Sequence, residues 1–184
     1  DVRNNEGPAR KRLGLVIGDE RTFYFRLSGA QNLEFFGGLY GLRGQNLKDN
    51  IRRSLEAVDL WNDADKKYMH FSTGMKKRLS MARALLHEPE VFLLDEPNSG
   101  VDPHSARQIR EIIKSLRESG KTILLTTHDM NEAERLADVI GYVKAGKILK
   151  IGGLNDFRSM IHTNVLELEC LTDSLSDTLY RKSI

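Results

Sequence analysis

The sequence predicts an α/β fold, a mostly parallel sheet with a helical subdomain inserted after its first strand. Three observations predict it. Val91-Phe92-Leu93-Leu94 is an unbroken apolar run, the pattern of a strand covered on both faces. Residues 91–95, 103–119 and 122–127 alternate strand, helix and strand, which the connection rule makes a right-handed βαβ unit. Between residues 28 and 60, two apolar stripes recur at helical spacing.

Composition sets the limits. The 184 residues suffice for one domain with a sizeable core. At 40% hydrophobic and 29% charged residues the chain has the make-up of an ordinary globular domain, which argues against disorder. A net charge of +2 makes no case for a nucleic-acid partner. The single cysteine, Cys170, excludes an internal disulfide and is compatible with a reducing cytosol. No apolar run approaches the ~18 residues of a membrane span, and no signal peptide is visible. If the protein works at a membrane, a partner does the spanning.

In order, residues 1–12 are polar and charged and read as the tail of an upstream segment, entering a strand at Leu13–Ile17. Residues 18–27 bring the aromatics Phe23, Tyr24 and Phe25, with two readings open: packing within the helical subdomain, or a docking surface. Ser28 to Gly41 and Gln45 to Leu60 read as helices joined by a glycine-containing turn. Leu33, Phe36 and Tyr40 stripe the first; Ile51, Leu55 and Val58 stripe the second. Trp61 to His70 reads as a polar connection.

The stretch from Phe71 to Asp102 organises the rest. Met75, Leu79, Ala82 and Leu86 line one face of a helix. Ser72 can cap the orphan amides of Thr73 and Gly74, and Pro89 is expected to end the helix. Lys76, Lys77, Arg78 and Arg83 are expected on a solvated face. After the apolar strand, Asp95 and Glu96 stand where it leaves the core, at the carboxyl end where open α/β sheets place their ligands. Adjacent acids there are costly to desolvate alone, and a hard cation such as Mg²⁺ with phosphate is their natural partner.

Asp102 and Pro103 then form an N-cap and first-turn pair, and Ala106, Ile109, Ile112, Ile113 and Leu116 face the sheet along a helix ending at Gly120. Thr122–Thr126 is the next strand, with His128 just past it on the edge that carries Asp95 and Glu96. Asp129 and Glu132 suggest a capping box for helix 130–137. Residues 139–143 and 147–151 flank Ala145-Gly146 as a hairpin, a short helix comes next near 155–161, and 164–170 reads as one more strand. The residues from Leu171 on read as the start of a longer C-terminal region.

FSTGM resembles the LSGGQ signature of ABC ATPases, VFLLDEP resembles their Walker B strand, and SGVD resembles the D-loop that comes after it. STGM in place of SGGQ is similar to the ATP-binding subunits of bacterial ABC-2 type exporters. The resemblance implies a P-loop NTPase-like sheet lacking its Walker A strand and helix, because no G-x-x-x-x-G-K-[ST] occurs in the chain. Gly120-Lys121-Thr122 is a decoy: it closes a helix and opens a strand, and Gly120 suits a helix C-cap. The domain would divide into a strand and Q-loop region at 1–27, a helical subdomain at 28–88, a catalytic sheet core at 89–163 and a C-terminal extension from 164.

By this resemblance Asp95 would help hold Mg²⁺, Glu96 would orient or deprotonate the attacking water, and His128 would be the switch histidine touching the γ-phosphate. Ser72, Thr73 and Gly74 would offer helix-terminal amides to a triphosphate on a second subunit. Asp102 would support that dimer contact or serve as a helix cap. The family's Q-loop glutamine is missing between Leu13 and Leu27; Gly18 or Asp19, with Glu20 beside them, stands in its place, and Asp19 could ligate Mg²⁺. The function implied is an ATP-binding and ATP-hydrolysing subunit, cytoplasmic and peripheral on the membrane's inner face. It would pair head to tail with a second ABC ATPase, drive a transmembrane permease subunit in export, and bind no nucleic acid. Alone, without Walker A, the chain would be inactive. Two alternatives are an inactive interaction module lending only a signature face, and a soluble ABC protein acting on ribosomes or DNA.

Overall fold

Three parallel strands form the sheet of a computed structural model that describes residues 6–17 and 22–158. Strand β1 (Leu13–Val16) pairs with β2 (Val91–Asp95), and β2 with β3 (Thr122–Thr126), so the apolar run is central. Gly14, Val16, Phe92 and Leu94 point to the buried face; a Cβ on Gly14 would meet Pro89 Cγ at 2.9 Å. On the other face Leu15 and Leu124 stand opposite Leu93, and both are exposed. Among the described residues the sheet is therefore covered on one face, where the apolar run led us to expect two.

The elements follow the sequence with instructive exceptions. Residues taken as a polar tail include a helix, α1 (Glu6–Lys11), with Pro8 in its first turn, where a missing N–H costs nothing, and Arg10 and Lys11 at its negative end. Helix α2 (Gly29–Leu39) opens on a capping box: Ser28 Oγ accepts from the Gln31 amide while Gln31 Oε1 accepts from the Ser28 amide. Helix α3 (Gly44–Ala57) buries Ile51 and Leu55 as expected. The connection at 61–70 holds two short 3₁₀ turns, Trp61–Asp63 and Tyr68–His70, and Tyr68 is buried. Phe23 joins the core edge-on to Phe36, whereas Tyr24 and Phe25 are exposed, so the aromatic run splits between its two readings.

Helix α4 (Thr73–Leu85) meets one expectation and overturns another. It stops short of Pro89, and Glu88, just before that proline, turns the chain with φ +53°. Its basic residues do not form a solvated face: Lys77 and Arg78 are buried, because α4 packs against α2, α3, β1 and α5 at once. Arg78 Nη1 donates to the carbonyls of Val58 (3.0 Å) and Asp59 (2.8 Å). Arg83 lies over the Phe23 and Phe36 rings at 5.3 and 5.1 Å.

Helix α5 (Pro103–Glu118) starts on the Asp102 cap and ends in a Schellman turn, with Gly120 at φ +82° and the Lys121 amide bonded to Leu116 O at 3.1 Å. Helix α6 (Met130–Leu136) completes the first of two compact units, divided between Leu136 and Ala137. The second holds the hairpin β4 (Ile140–Lys144) and β5 (Lys147–Gly152), with α7 (Leu154–Arg158). Ala145 and Gly146, both at positive φ, make the two-residue turn. The strand expected at 164–170 and the rest of the 155–161 helix lie outside the described residues. Among those described, no helix is long and apolar enough to cross a membrane.

Candidate functional site

The carboxyl ends of β2 and β3 bring three of the expected residues to one rim. Asp95 is in register with Thr126, whose Oγ1 donates to Asp95 Oδ1 at 2.5 Å. Glu96 leaves the strand with φ +47°, a strained conformation for a residue with a Cβ, and its amide bonds to Thr126 O at 3.1 Å. Two residues past Thr126, His128 places Nδ1 2.9 Å from both oxygens of Glu96. The hydrogen bond and charge of Glu96 raise the imidazole's pKa, so His128 holds its proton more firmly than a free histidine. Nδ1 is committed to Glu96, which leaves Nε2 for another partner.

The loops bearing this pair are held by residues the sequence reading missed. Glu132 accepts from Thr127 Oγ1 at 2.6 Å and from Asn98 Nδ2, and Thr127 Oγ1 accepts from the Asp129 amide at 3.1 Å. Glu132 therefore does not reach back to close the capping box expected for α6; Thr127 serves that amide instead. The only sequence signal was a threonine before the histidine and a glutamate four residues after it.

The signature residues form a second cluster. Ser72 caps α4 by accepting from the Met75 amide at 3.2 Å, so its hydroxyl does not serve Thr73 or Gly74 as expected. First-turn amides have no helical acceptor, and Thr73 at the start of the helix is exposed. Gly74 is buried because Ser105 of α5 presses on it, and a Cβ there would run into Ser105 Oγ. Asp102 joins the cluster as a cap, taking the Ser105 amide at 3.0 Å and its hydroxyl at 2.7 Å. These bonds hold its carboxyl below the usual range. Gly18, Asp19 and Glu20 lie outside the described residues.

For Mg²⁺ the donor set fits. Asp95 is exposed, offers hard oxygen and keeps Oδ2 free beyond its bond to Thr126. Among the described residues no three His, Cys, Asp or Glu converge to cage a metal. One exposed carboxylate suits Mg²⁺, an ion that keeps its waters and takes one or two carboxylates together with substrate phosphates.

A family model described as "AAA domain, putative AbiEii toxin, Type IV TA system" matches residues 12–134. The chain is 40% identical over 159 residues to the probable multidrug ABC transporter ATP-binding protein YbhF of Escherichia coli K12, covering 86% of this chain and 27% of that protein. It is 39% identical over 174 residues to the Nod factor export ATP-binding protein I of Cupriavidus metallidurans, covering 91% of this chain and 57% of that one. The chain thus spans about a quarter to just over half the length of these relatives. Among solved structures it resembles the ATP-binding cassette MJ0796, described as a dimer in a post-hydrolysis state with ADP and Pi bound. The TM-score is 0.70 at 26% identity, over 84% of this chain and 68% of that one. With a family model matched across residues 12–134, the chain belongs to the AAA-domain family which that model describes, and it has the fold of an ATP-binding cassette.

Proposed function

We propose that the chain binds and hydrolyses ATP as part of an ABC exporter, at the inner face of the membrane, driving a separate transmembrane subunit. The observation that carries this reading is the Glu96–His128 contact at the end of the central strand. Hydrolysis of a phosphoanhydride needs an oriented water and a donor to the charge that develops on phosphate. Glu96 presents a carboxylate that can orient or deprotonate that water. His128, held at Nδ1 and biased towards its protonated form, can donate from Nε2 to the terminal phosphate. Asp95, steadied by Thr126, would hold Mg²⁺ through one of its waters. The ion, when bound, neutralises charge on the phosphate oxygens.

Ser72, Thr73 and Gly74 would meet a triphosphate bound to a second ATPase subunit, with Asp102 beside them. The dimer in the MJ0796 description and the export in the Nod factor relative's name support this arrangement. Exposed Tyr24 and Phe25, with Phe35 edge-on to Tyr24 at 4.9 Å, suit the permease as a docking surface. A second reading is a module lending only its signature face, which the Ser72 cap and the packing of Ser105 on Gly74 build within these residues.

The test is the E96Q variant in an ATP-hydrolysing assembly that contains this chain. ATP binding should persist while hydrolysis falls by orders of magnitude; unchanged turnover overturns the role of Glu96 and favours the second reading. In calorimetry the chain alone should show no ATP affinity.

A further inference from the structure

Glu132 is the buried acid among the described residues, and neither ATP binding nor the helix it sits on explains its burial. A carboxylate withdrawn from water must be compensated by hydrogen bonds. Here both bonds come from neutral side chains on two different loops: Asn98 Nδ2, two residues after Glu96, and Thr127 Oγ1, immediately before His128. Asn98 Oδ1 is buried and has no partner, so Glu132 alone fixes how that amide is turned. Apart from this link, these segments meet through the Thr126 hydroxyl on Asp95, the Glu96 amide on Thr126 O and the Glu96–His128 contact itself. Glu96 also starts its loop from a strained backbone, which persists only where its surroundings over-determine it.

We infer that Glu132 is a positioning residue: its carboxylate clasps the two loops together and so keeps the His128 imidazole on the Glu96 carboxylate. The clasp needs two hydrogen-bonding positions on one stem, one an acceptor for Asn98 and the other a partner for a hydroxyl that can donate or accept, rather than a negative charge. Glutamine can keep it, because its oxygen can accept from Asn98 while its amide faces a hydroxyl free to rotate. Alanine cannot. The effect on hydrolysis rests on the function proposed above; the effect on geometry does not.

Two measurements separate these. In the chain alone, the His128 titration is followed by NMR in wild type, E132A and E132Q. E132A should move the imidazole back towards its ordinary pKa as the Glu96 contact loosens, and E132Q should retain the raised value. In an ATP-hydrolysing assembly, E132A should lower kcat about ten- to a hundred-fold, the cost of a small misplacement, with KM for ATP within about two-fold. E132Q should bring kcat to within about three-fold of wild type. A wild-type His128 titration in folded E132A overturns the inference, and so does equal damage from E132Q and E132A. A shifted titration with unchanged kcat upholds the clasp and counts against the hydrolytic role of the pair.

Discussion

The helical subdomain and the sheet rim both depend on polar side chains, and they use them in opposite ways. In the subdomain Asn32, Asn50 and Arg78 are buried and direct most of their hydrogen bonds to backbone. Asn32 alone serves the amide of Tyr24 and the carbonyls of Tyr24, Leu27 and Ser28. Asn50 holds Leu86 O at 2.8 Å, and Arg78 holds Val58 and Asp59. At the rim Asp95, Glu96 and His128 are exposed or half-exposed and bond mainly to one another or to a neighbouring hydroxyl. A buried polar group is tolerated only when paired, so the subdomain's groups are committed to the fold. The rim groups keep free valence, and free valence is what a substrate requires.

The contrast can be broken by exchanging readouts between the two regions. The largest effect should come from H128A, which ought to cut hydrolysis ~100-fold or more while the denaturation midpoint stays near wild type. R78A should do the reverse. Leaving two backbone carbonyls without their cationic donor should lower stability by about 3 kcal/mol, read as a shifted urea midpoint. If both variants lost stability alike, the distinction between committed and available polar groups would fail. S72A removes one helix cap and should cost about 1 kcal/mol in the same assay.

The smallest effect sharpens the contrast through two histidines. His128 has a pKa raised by Glu96, so its contribution to stability is complete below the ordinary value of about 6.5 and is lost as pH rises through the raised value. His87 is different. It lies between the subdomain and the sheet, stacked on Tyr40 at 4.2 Å with Nε2 3.0 Å from Leu13 O, and burial lowers its pKa. Its contribution is present above about 6.5 and is lost as pH falls through the lowered value. Denaturant midpoints against pH should therefore peak near the ordinary imidazole value. H87N should flatten the acid limb, and E96Q should flatten the alkaline limb, the shallower one because His128 is exposed.

How much of this was legible in the sequence differs between the same two regions. At the rim, Asp95, Glu96 and His128 could be placed together because a strand's end is a one-dimensional property: where the apolar run stops, the next residues stand at the edge of the sheet. Nothing one-dimensional says that Asn98 and Thr127, 29 residues apart, share the carboxylate of Glu132. In the subdomain, the stripe at Ile51, Leu55 and Val58 was correct, and Leu33 and Phe36 join the core as expected, because a helix with one core face shows the 3.6-residue period; Tyr40, expected with them, is exposed at the end of α2. The reading failed on α4, which has neighbours on nearly every side, so its lysine and arginine could not keep the solvated face that their charges suggested.

By itself the sequence determined the order of strands and helices from residue 13 to residue 152, the caps at Ser72 and Asp102, the stop at Gly120, and the edge that carries two acids and an imidazole. These come from periodicity and from turn chemistry acting over four residues or fewer. Only the tertiary structure decided which charges are buried, that Ser105 closes on Gly74, and that Glu132 joins two loops instead of capping its own helix. Those outcomes depend on which surfaces meet, and a hydrogen bond between distant residues leaves no period in the chain that makes it.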